Sequence, residues 1–333
     1  MATIYEVSEL AKVSLATVSR VMNGNARVSE KTRDRVLAAM KELDYRPNTI
    51  AQSLASNRSN CIGLLVSEIH GPFFGQMMSG VETELRAAGK HVIITTGHSE
   101  EDKEKDGIEF LISRNCDAII LHVEAVSDQY LLELSQGKTP IYLISRHVEE
   151  LPDKCISLDN ELGGYIATQS LIEMGHTNIA YLAGPQYKAD AIARLKGHKR
   201  ALSENNIAVD EKLIFEAEFK EQGGIEGLRH FLQERLAFTA LVCANDEMAS
   251  GAMTYAREHD LQMPKDLSVV GFDNVVFAPH LYPKLTTVDN PVNKMGSMAA
   301  KLVLKDVYQQ DQHDIQQLFE PSLILRDSAA VLT

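Results

Sequence analysis

The sequence predicts a small all-α helix-turn-helix head with a hinge helix, joined to a two-lobed α/β core built on parallel sheets. The first 22 positions hold two short amphipathic stretches. Beyond residue 60, strand-like apolar runs alternate with helical segments, and the alternation divides into two similar series. Strands that are apolar throughout and alternate with helices are typical of a parallel sheet buried on both faces.

The first two predicted helices form a tight pair. Ile4, Val7 and Leu10 give the first helix an apolar side, and Ser14 is a good N-cap for a second helix from Leu15 to Met22. Only three residues separate the first helix from this cap, which is typical of a helix-turn-helix. The second helix of such a pair can enter the major groove of DNA, but the same pattern also fits an αα-hairpin in a larger core.

A third helix and a short hinge helix complete the predicted head. The third begins at Ser29 and runs to about Leu43, with Val36 and Met40 one turn apart on its apolar side. The next segment opens at Pro47 and offers about two helical turns. Because isolated helices under ~12 residues are marginal in water, we expect this hinge helix to order only with its dimer mate and DNA.

Four segments resemble the head and hinge of the lactose/galactose repressor (LacI/GalR) family: Val13 to Asn23, Val28-Ser29, Tyr45-x-Pro47-Asn48 and Ala51-x-x-Leu54. In that family the second helix reads the major groove, and the hinge helices of two subunits each insert a leucine into the minor groove. The resemblance implies that Leu15, Ala16 and Arg20 read bases and that Leu54 is the wedge. The expected DNA-contacting residues are Thr3, Ser14, Leu15, Ala16, Thr17, Ser19, Arg20, Asn23, Tyr45, Asn48, Ala51 and Leu54.

The charge of the chain is unevenly distributed. The 333 residues carry a net charge of −13, with 44% apolar and 24% charged residues, a composition that predicts two or three folded domains and excludes disorder. Residues 1–58 hold nine Lys/Arg and six Asp/Glu, a net +3, which leaves −16 for the rest. A basic head on an acidic body attracts phosphates at one end only.

Cysteines and hydropathy indicate where the protein works. Cys61, Cys116, Cys155 and Cys243 form no C-x-x-C pair, so we interpret them as reduced thiols of the core. We find no secretory signal and no apolar stretch near the ~18 residues of a membrane span, and therefore expect a cytoplasmic protein without a membrane partner. We expect no cofactor and no metal.

The resemblance continues through a periplasmic-binding-protein-like core from about Ile62 to Ser328. It is carried by these motifs: Gly71-Pro72-Phe73-Phe74, Met174-Gly175-His176, Arg194-Leu195-x-Gly197, Asn245-Asp246-x-Met248-Ala249, Ser268 to Asn274, Leu285 to Val288 and Pro321 to Ser328. In such folds a ligand binds between the lobes, at the carboxyl ends of the strands. The expected effector-binding residues are His70, Phe73, Phe74, His98, Ser145, Arg146, Asp159, Arg194, Asn245 and Asp273.

These residue types suit a sugar. Asp273, Asn245 and Arg194 can serve its hydroxyls, and Phe73 or Phe74 can cover its C–H face. By position alone, Arg194 is equally a surface cation of a helix and Asp273 a helix cap. Sugar-binding members of the family carry Asp or Asn where this chain has Gly71, so either His70 or a residue from another loop has to replace that polar group.

The sequence thus predicts a helix-turn-helix domain at 1–45, a hinge helix and linker at 46–59, and an effector-binding and dimerisation core at 60–333. Lobe 1 is expected at about 60–160 and 291–320, and lobe 2 at about 161–288 and 321–333. An enzyme is not predicted, because the nucleotide-binding, zinc and acyl-nucleophile motifs are absent from the sequence. A sugar-uptake binding protein shares the core fold but has a signal peptide and no DNA-binding head.

We therefore expect a sugar-responsive, sequence-specific transcriptional regulator, a repressor of carbohydrate catabolism genes. Its partners are double-stranded DNA with a palindromic operator, a small sugar effector and a second copy of the chain, since a palindrome requires two heads. The expected effector is galactose, a galactoside or a β-glucoside. The alternative is a regulator of the same family that responds to a purine or another small metabolite.

Overall fold

The computed structural model describes residues 2–22, 28–45 and 58–332. It divides into two compact units, Met1–Asn60 and Cys61–Thr333. Four expected DNA contacts, and with them most of the predicted hinge helix, lie outside the described residues: Asn23, Asn48, Ala51 and Leu54.

The described residues of the first unit form three helices: α1 (Ile4–Ala11), α2 (Leu15–Met22) and α3 (Glu30–Glu42). A capping box begins α1, because the Glu6 N–H donates to Thr3 Oγ1 while the Thr3 N–H donates to Glu6 Oε2 at 2.6 Å. The Thr17 N–H donates to Ser14 Oγ at 3.2 Å, so Ser14 serves the start of α2 as predicted. The helix-turn-helix head is confirmed.

The core of the head corrects one detail of the sequence reading. Val7, Val18 and Val36 are completely buried and hold the three helices together. Leu10, which we assigned to the apolar side of α1, is 42% exposed, and Ala11 is buried in its place. At 100° per residue, Ala11 lies one turn after Val7 on the inward face and Leu10 is rotated away from it.

The second unit contains two six-stranded sheets. Sheet 1 has the order β11-β5-β4-β3-β1-β2, and sheet 2 has the order β12-β10-β9-β8-β6-β7; all neighbours are parallel except β10 and β12. The strands are β1 (Cys61–Val66), β2 (His91–Thr96), β3 (Ala118–Leu121), β4 (Ile141–Ile144), β5 (Cys155–Leu158), β6 (Ile179–Ala183), β7 (Ile214–Glu216), β8 (Ala240–Cys243), β9 (Ser268–Asp273), β10 (Thr286–Asp289), β11 (Leu318–Phe319) and β12 (Ser322–Ile324). The predicted α/β core with two parallel sheets is confirmed.

Eight helices accompany these strands: α4 (Pro72–Ala87), α5 (Glu101–Ser113), α6 (Asp128–Ser135), α7 (Asn160–Glu173), α8 (Ala189–Glu204), α9 (Glu221–Gln233), α10 (Asp246–Glu258) and α11 (Val292–Tyr308). We call sheet 1 with α4, α5, α6 and α11 lobe 1, and sheet 2 with α7 to α10 lobe 2. The chain passes between the sheets three times, after β5, after β10 and after β11. Each lobe is therefore built from separate stretches of sequence, which ties the two lobes together.

Two of the strands are less buried than the sequence pattern indicated. We expected every strand of the core to be covered on both faces, but β2 and β7 are only partly buried. Each lies at the end of its sheet, so it has one neighbour and less cover. The other sheet-1 and sheet-2 strands of four or more residues are almost wholly buried.

Glycines let α7 and α8 approach closely. A Cβ placed on Gly164 would lie 2.0 Å from the Arg194 carbonyl oxygen, and one on Gly197 would lie 2.0 Å from the Glu161 carbonyl oxygen. Only glycine leaves room for the two backbones at this crossing. This contact fixes the position of α8, and with it that of the Arg194 side chain.

The chain has four cysteines, of which Cys116, Cys155 and Cys243 are free thiols. Three of them are buried, and Cys61 is half-buried at the start of β1. Burial raises the pKa of Cys116 to about 11, so this thiol stays protonated at neutral pH and is a poor nucleophile. In the part of the chain that the structure describes, no helix has the length and apolar character needed to cross a membrane.

Candidate effector site and DNA-reading helix

A cavity of about 420 Å³ lies between the two lobes, and we call it the central cavity. Its walls come from the carboxyl ends of β1 and β3 in lobe 1 and of β6, β8 and β9 in lobe 2. Seven of the ten expected effector-binding residues line it: His70, Phe73, Phe74, His98, Arg194, Asn245 and Asp273. The volume suits a small ligand of one or two rings.

Arg194 is fixed by several neighbours. Its Nε donates to Asn160 Oδ1 at 2.9 Å, and its Nη1 donates to the Ala244 carbonyl at 2.6 Å. Nη2 lies 3.4 Å from Asp273 Oδ1, and the guanidinium carbon lies 3.7 Å from the centre of the Phe272 ring. With 3% of its surface exposed, Arg194 is a buried cation of the cavity wall and not a surface group of α8.

Asp273 ends β9 at the base of the same wall. Its backbone φ of +102° lies in the left-handed region that favours glycine, so the surrounding contacts hold this residue in a strained conformation. Asn290 Nδ2 donates to its Oδ1 at 3.0 Å. Burial raises the pKa of Asp273 to about 6, and the neighbouring Arg194 limits that rise. Asp273 is a poised hydrogen-bond acceptor and does not cap a helix.

The helix cap at this edge is Asn245. Its Oδ1 accepts the Met248 N–H at 2.9 Å at the start of α10, and its Nδ2 donates to the Phe219 carbonyl at 3.3 Å. The predicted role of Asn245 as a ligand group therefore depends on the second hydrogen and the second oxygen lone pair of the same amide.

An aromatic wall faces these charged groups. The rings of Phe73 and Phe74, in the first turn of α4, meet edge to face at 5.2 Å, and the His122 ring lies 5.3 Å from that of Phe74. Gly71, where the family's sugar-binding members carry a polar residue, has a φ of +93°. A side chain there would be strained, which is the physical reason for glycine at this position.

Ion pairs cross the cavity from one lobe to the other. Lys188 Nζ lies 2.9 Å from Glu124 Oε2, and Lys220 Nζ lies 2.5 Å from Glu68 Oε2. The lining holds seven carboxylates and three Lys/Arg cations in all: Glu68, Glu124, Asp190, Glu218, Glu221, Glu247, Asp273, Lys188, Arg194 and Lys220. Burial, followed by the nearby Glu221 charge, raises the pKa of Glu247 to about 7.

The other three expected effector residues line a neighbouring cavity of about 650 Å³, which we call the side cavity: Ser145, Arg146 and Asp159. The two cavities share His122, Glu124, Tyr187 and Asp190. Arg146 Nη2 donates to Asp128 Oδ1 at 2.6 Å, and Asp159 Oδ1 accepts the Leu162 N–H at 2.9 Å as the cap of α7. A ligand in the central cavity would therefore reach these three residues only by extending past Glu124.

Sequence reasoning missed Glu124, His122 and Lys188. Glu124 and His122 follow β3, so the strand-end argument that selected residues after β1, β8 and β9 finds them when it is extended to β3. Lys188 lies just before α8 and six residues before Arg194, the nearest residue of the motifs above, and its partner lies 64 positions earlier in the chain. The sequence carries no local signal for that pair.

In the head, the expected base-reading residues lie on the solvent side of α2. Ala16 and Arg20, four residues apart, are exposed, as is Ser14, and Leu15 is half-buried. Thr3 is exposed at the cap of α1, whereas Thr17, Ser19 and Tyr45 are half-buried. Among the described residues, no group of three His, Cys, Asp or Glu side chains is placed to hold a metal ion.

Two domain families match the chain. Residues 3–48 match bacterial regulatory proteins of the lacI family, and residues 168–329 match the periplasmic binding protein-like domain. The regulator GalR of Escherichia coli K12 is 37% identical over 330 residues, which cover 99% of this chain and 96% of GalR.

Two solved structures show the same architecture. The lac repressor dimer bound to operator and the anti-inducer ONPF superposes with a TM-score of 0.87 at 29% identity, covering 99% of each chain. The regulator CelR in complex with cellobiose gives a TM-score of 0.71 at 30% identity, covering 99% of this chain and 100% of CelR.

Proposed function

Because this chain belongs to the LacI family of DNA-binding transcriptional regulators, we propose that it is a repressor of carbohydrate catabolism genes that responds to a neutral sugar in the central cavity. The observation that carries the sugar assignment is the pairing of two unlike walls. Arg194 and Asp273 present buried hydrogen-bonding charges, and Phe73 and Phe74 present an aromatic face opposite them. A pyranose has hydroxyls at its rim and C–H groups on its faces, so it uses both walls at once.

A related structure supports the same class of ligand. CelR was solved with cellobiose, a β-linked glucose disaccharide, and it shares the fold over essentially the whole chain. For this protein we propose galactose, a galactoside or a β-glucoside as the effector. A purine is the competing ligand class.

Thermal shift of the full-length protein against galactose, lactose, cellobiose, ribose and hypoxanthine separates these classes. A ligand that binds the folded state stabilises it by RT ln(1 + [L]/Kd), about 2.7 kcal/mol at 100 times Kd. We expect a shift with galactose or a glycoside and none with hypoxanthine. A shift with hypoxanthine alone would overturn the sugar assignment.

For the DNA side, we propose that two copies of the chain read a palindromic operator, with α2 of each head in the major groove. The exposed groups along α2 support this, since Ala16 and Arg20 lie four residues apart on its solvent side. The other proposed contacts of the described head are Thr3, Ser14, Leu15, Thr17, Ser19 and Tyr45. The proposed homodimer provides the twofold symmetry that a palindrome requires.

Removing Arg20 tests this reading. A bidentate arginine–guanine contact contributes ~1–3 kcal/mol of discrimination, so Arg20→Ala should weaken binding to a palindrome selected from random DNA by that amount and leave binding to scrambled DNA nearly unchanged. Arg35→Ala, on the exposed side of α3, removes the same charge from the head and serves as the control. Equal losses on both DNAs for Arg20→Ala would make Arg20 a phosphate contact.

A further inference from the structure

Glu124 and Lys188 approach each other across the cleft, one from each lobe. Glu124 follows β3 in lobe 1, and Lys188 precedes α8 in lobe 2. The Lys188 Nζ–Glu124 Oε2 distance is 2.9 Å, and the two side chains are 12% and 14% exposed. An ion pair this far removed from water loses much of its hydration, which its mutual attraction offsets only when further hydrogen bonds satisfy both groups.

Glu124 is held in place by a second, wholly buried carboxylate. Glu104 on α5 accepts the backbone N–H groups of Glu124 at 2.8 Å, of Ala125 at 3.0 and 3.2 Å, and of Val126 at 2.9 Å. Gly97 leaves the space that Glu104 needs, because a Cβ there would lie 2.5 Å from Glu104 Cγ. One buried carboxylate thus fixes three consecutive peptide groups and directs the Glu124 side chain into the cavity.

The side-chain contacts of Glu124, which lines the central cavity, fall on one of its two carboxylate oxygens. In the described part of the chain, Ser67 Oγ at 3.1 Å, Ser99 Oγ and Lys188 Nζ all meet the same oxygen, Oε2. Lys188 has three N–H donors, of which Glu124 takes one and Ser99 another at 3.4 Å. A carboxylate oxygen and an ammonium hydrogen on two groups in direct contact suit two adjacent hydroxyls of a sugar ring, one donating to the carboxylate and the other accepting from the ammonium.

We propose that Glu124 and Lys188 are an effector-recognition pair, with one member on each lobe, that binds adjacent hydroxyls of an uncharged sugar, and that Glu104 is the positioning residue for Glu124. The proposal rests on the proposed function, since it takes the central cavity as the effector site. It also gives the sugar a means of favouring the closed cleft, because a ligand that bonds to both members joins the lobes.

The same charges define what the pair rejects. The carboxyl group of a uronic acid or the phosphate of a hexose phosphate would meet Glu124 in a lining that already holds more carboxylates than cations. Like charges in a partly desolvated cavity repel strongly, so the site favours an uncharged sugar over an anionic one.

Calorimetry on the full-length protein with D-galactose and cellobiose provides the test. Glu124→Gln and Lys188→Met should each weaken binding of the sugar by ~10- to 100-fold, as for loss of a charged hydrogen-bond partner. The matched control is Lys154→Met, which removes an ion pair of 2.5 Å with Asp306 that lies within lobe 1. It should leave the sugar affinity unchanged. Wild-type affinity in both Glu124→Gln and Lys188→Met would overturn the proposal.

Monodeoxy sugars separate recognition from a simple clamp between the lobes. If Glu124 binds a hydroxyl, one of the 2-, 3-, 4- or 6-deoxy galactoses lacks that hydroxyl and should bind the wild type weakly. The same deoxy sugar should bind Glu124→Gln with the same low affinity as the wild type, because the lost hydrogen bond is already absent. Equal factors of loss for the parent and for every deoxy sugar would make the pair a clamp and refute the recognition role. If no sugar bound the wild type at all, the proposed function itself would fail, which is a distinct result.

Glu104 is tested by non-additivity. Glu104→Gln puts an NH₂ group where backbone N–H groups point, so it should reproduce the loss of sugar affinity of Glu124→Gln. The double variant Glu104→Gln/Glu124→Gln should lose no more affinity than Glu124→Gln alone. Gly97→Ala presses on Glu104 from the other side and is the second variant, since Glu104→Gln can also weaken folding. Additive losses of sugar affinity when Glu124→Gln is combined with Glu104→Gln and with Gly97→Ala would exclude a positioning role for Glu104.

Discussion

The two lobes build their halves of the central cavity in different ways. In lobe 2, fixed parts of the fold hold the three polar groups. Arg194 donates to the Ala244 carbonyl and pairs with Asp273. Asn245 accepts the Met248 N–H at the start of α10, and Asp273 accepts a hydrogen bond from Asn290. In lobe 1, the polar groups sit on loops after β1, β2 and β3, and Glu104 holds the loop that carries Glu124 from behind. Lobe 2 presents preorganised groups, whereas lobe 1 presents groups whose position depends on loop anchors.

This difference explains why the sequence was informative about one lobe and less so about the other. A side chain that is hydrogen-bonded to the backbone of neighbouring elements requires a particular residue type at a particular position of a motif, as in Arg194-Leu195-x-Gly197. A group on a loop, such as Glu124 after β3, belongs to none of the motifs that the sequence analysis used.

The largest effect is expected where lobe 2 gets its rigidity, at the crossing of α7 and α8. Gly164→Ala would place a Cβ 2.0 Å from the Arg194 carbonyl oxygen, so the helices must separate. Overpacking of this kind costs about 3 kcal/mol, which urea unfolding will measure. Gly75→Ala on α4 is the control, because a Cβ there meets nothing within 4 Å and should be neutral or slightly stabilising. Equal stability of the two variants would show that the crossing adapts.

The second effect concerns the preorganised charge itself. Arg194→Met should lower the affinity for the sugar by ~100-fold, equivalent to about 2.7 kcal/mol, because it removes a charged donor from the cavity wall and leaves Asp273 without its cation. Operator binding without the sugar should persist, as measured by fluorescence anisotropy. Arg200→Met, on the same helix but paired with Glu161 at the surface, should leave sugar binding intact. An unchanged Kd for Arg194→Met would remove lobe 2 from the proposed effector site.

The third effect is a pH dependence that belongs to lobe 2. The raised pKa of Asp273, about 6, means that its carboxyl is ionised above pH 6 and takes up a proton below it. Sugar hydroxyls that donate to the ionised form lower its pKa on binding, so affinity is highest above pH 6 and falls as the pH drops through that value, by roughly tenfold per unit at most.

Calorimetry between pH 5 and 8 checks this dependence against two variants. Asp273→Asn should bind weakly at every pH. Glu247→Gln removes the other carboxyl of the central-cavity lining whose pKa is raised, to about 7, and should leave the decline around pH 6 in place. A decline that persists in Asp273→Asn would assign the titration to another group.

The distance along the chain between interacting residues decides which features the sequence could predict. Helix caps, the two alternating series and the strand-end residues depend on neighbours within a few positions, so Ser14, Phe73 and Asp273 could be placed in advance. Leu10 was misassigned because a helix of eight residues leaves its inward face ambiguous by one position. The pairs Glu124–Lys188 and Glu104–Val126 join residues 64 and 22 positions apart, and such contacts exist only once the strands are assembled.

The smallest effect is expected in lobe 1, at the border of the two cavities. Arg146 is engaged by Asp128 and lies in the side cavity, beyond Glu124 as seen from Arg194 and Asp273. Arg146→Ala should therefore change the Kd for a monosaccharide by less than about twofold, or ~0.4 kcal/mol. With a disaccharide, whose second ring extends past Glu124, the same substitution should cost several-fold. Asp128→Asn, which weakens the ion pair but keeps Arg146, distinguishes a contact with the ligand from a loss of loop order. A large, equal loss with both sugars would mean that the first ring already occupies the side cavity, and the division of roles between the lobes would have to be redrawn around Ser145, Arg146 and Asp159.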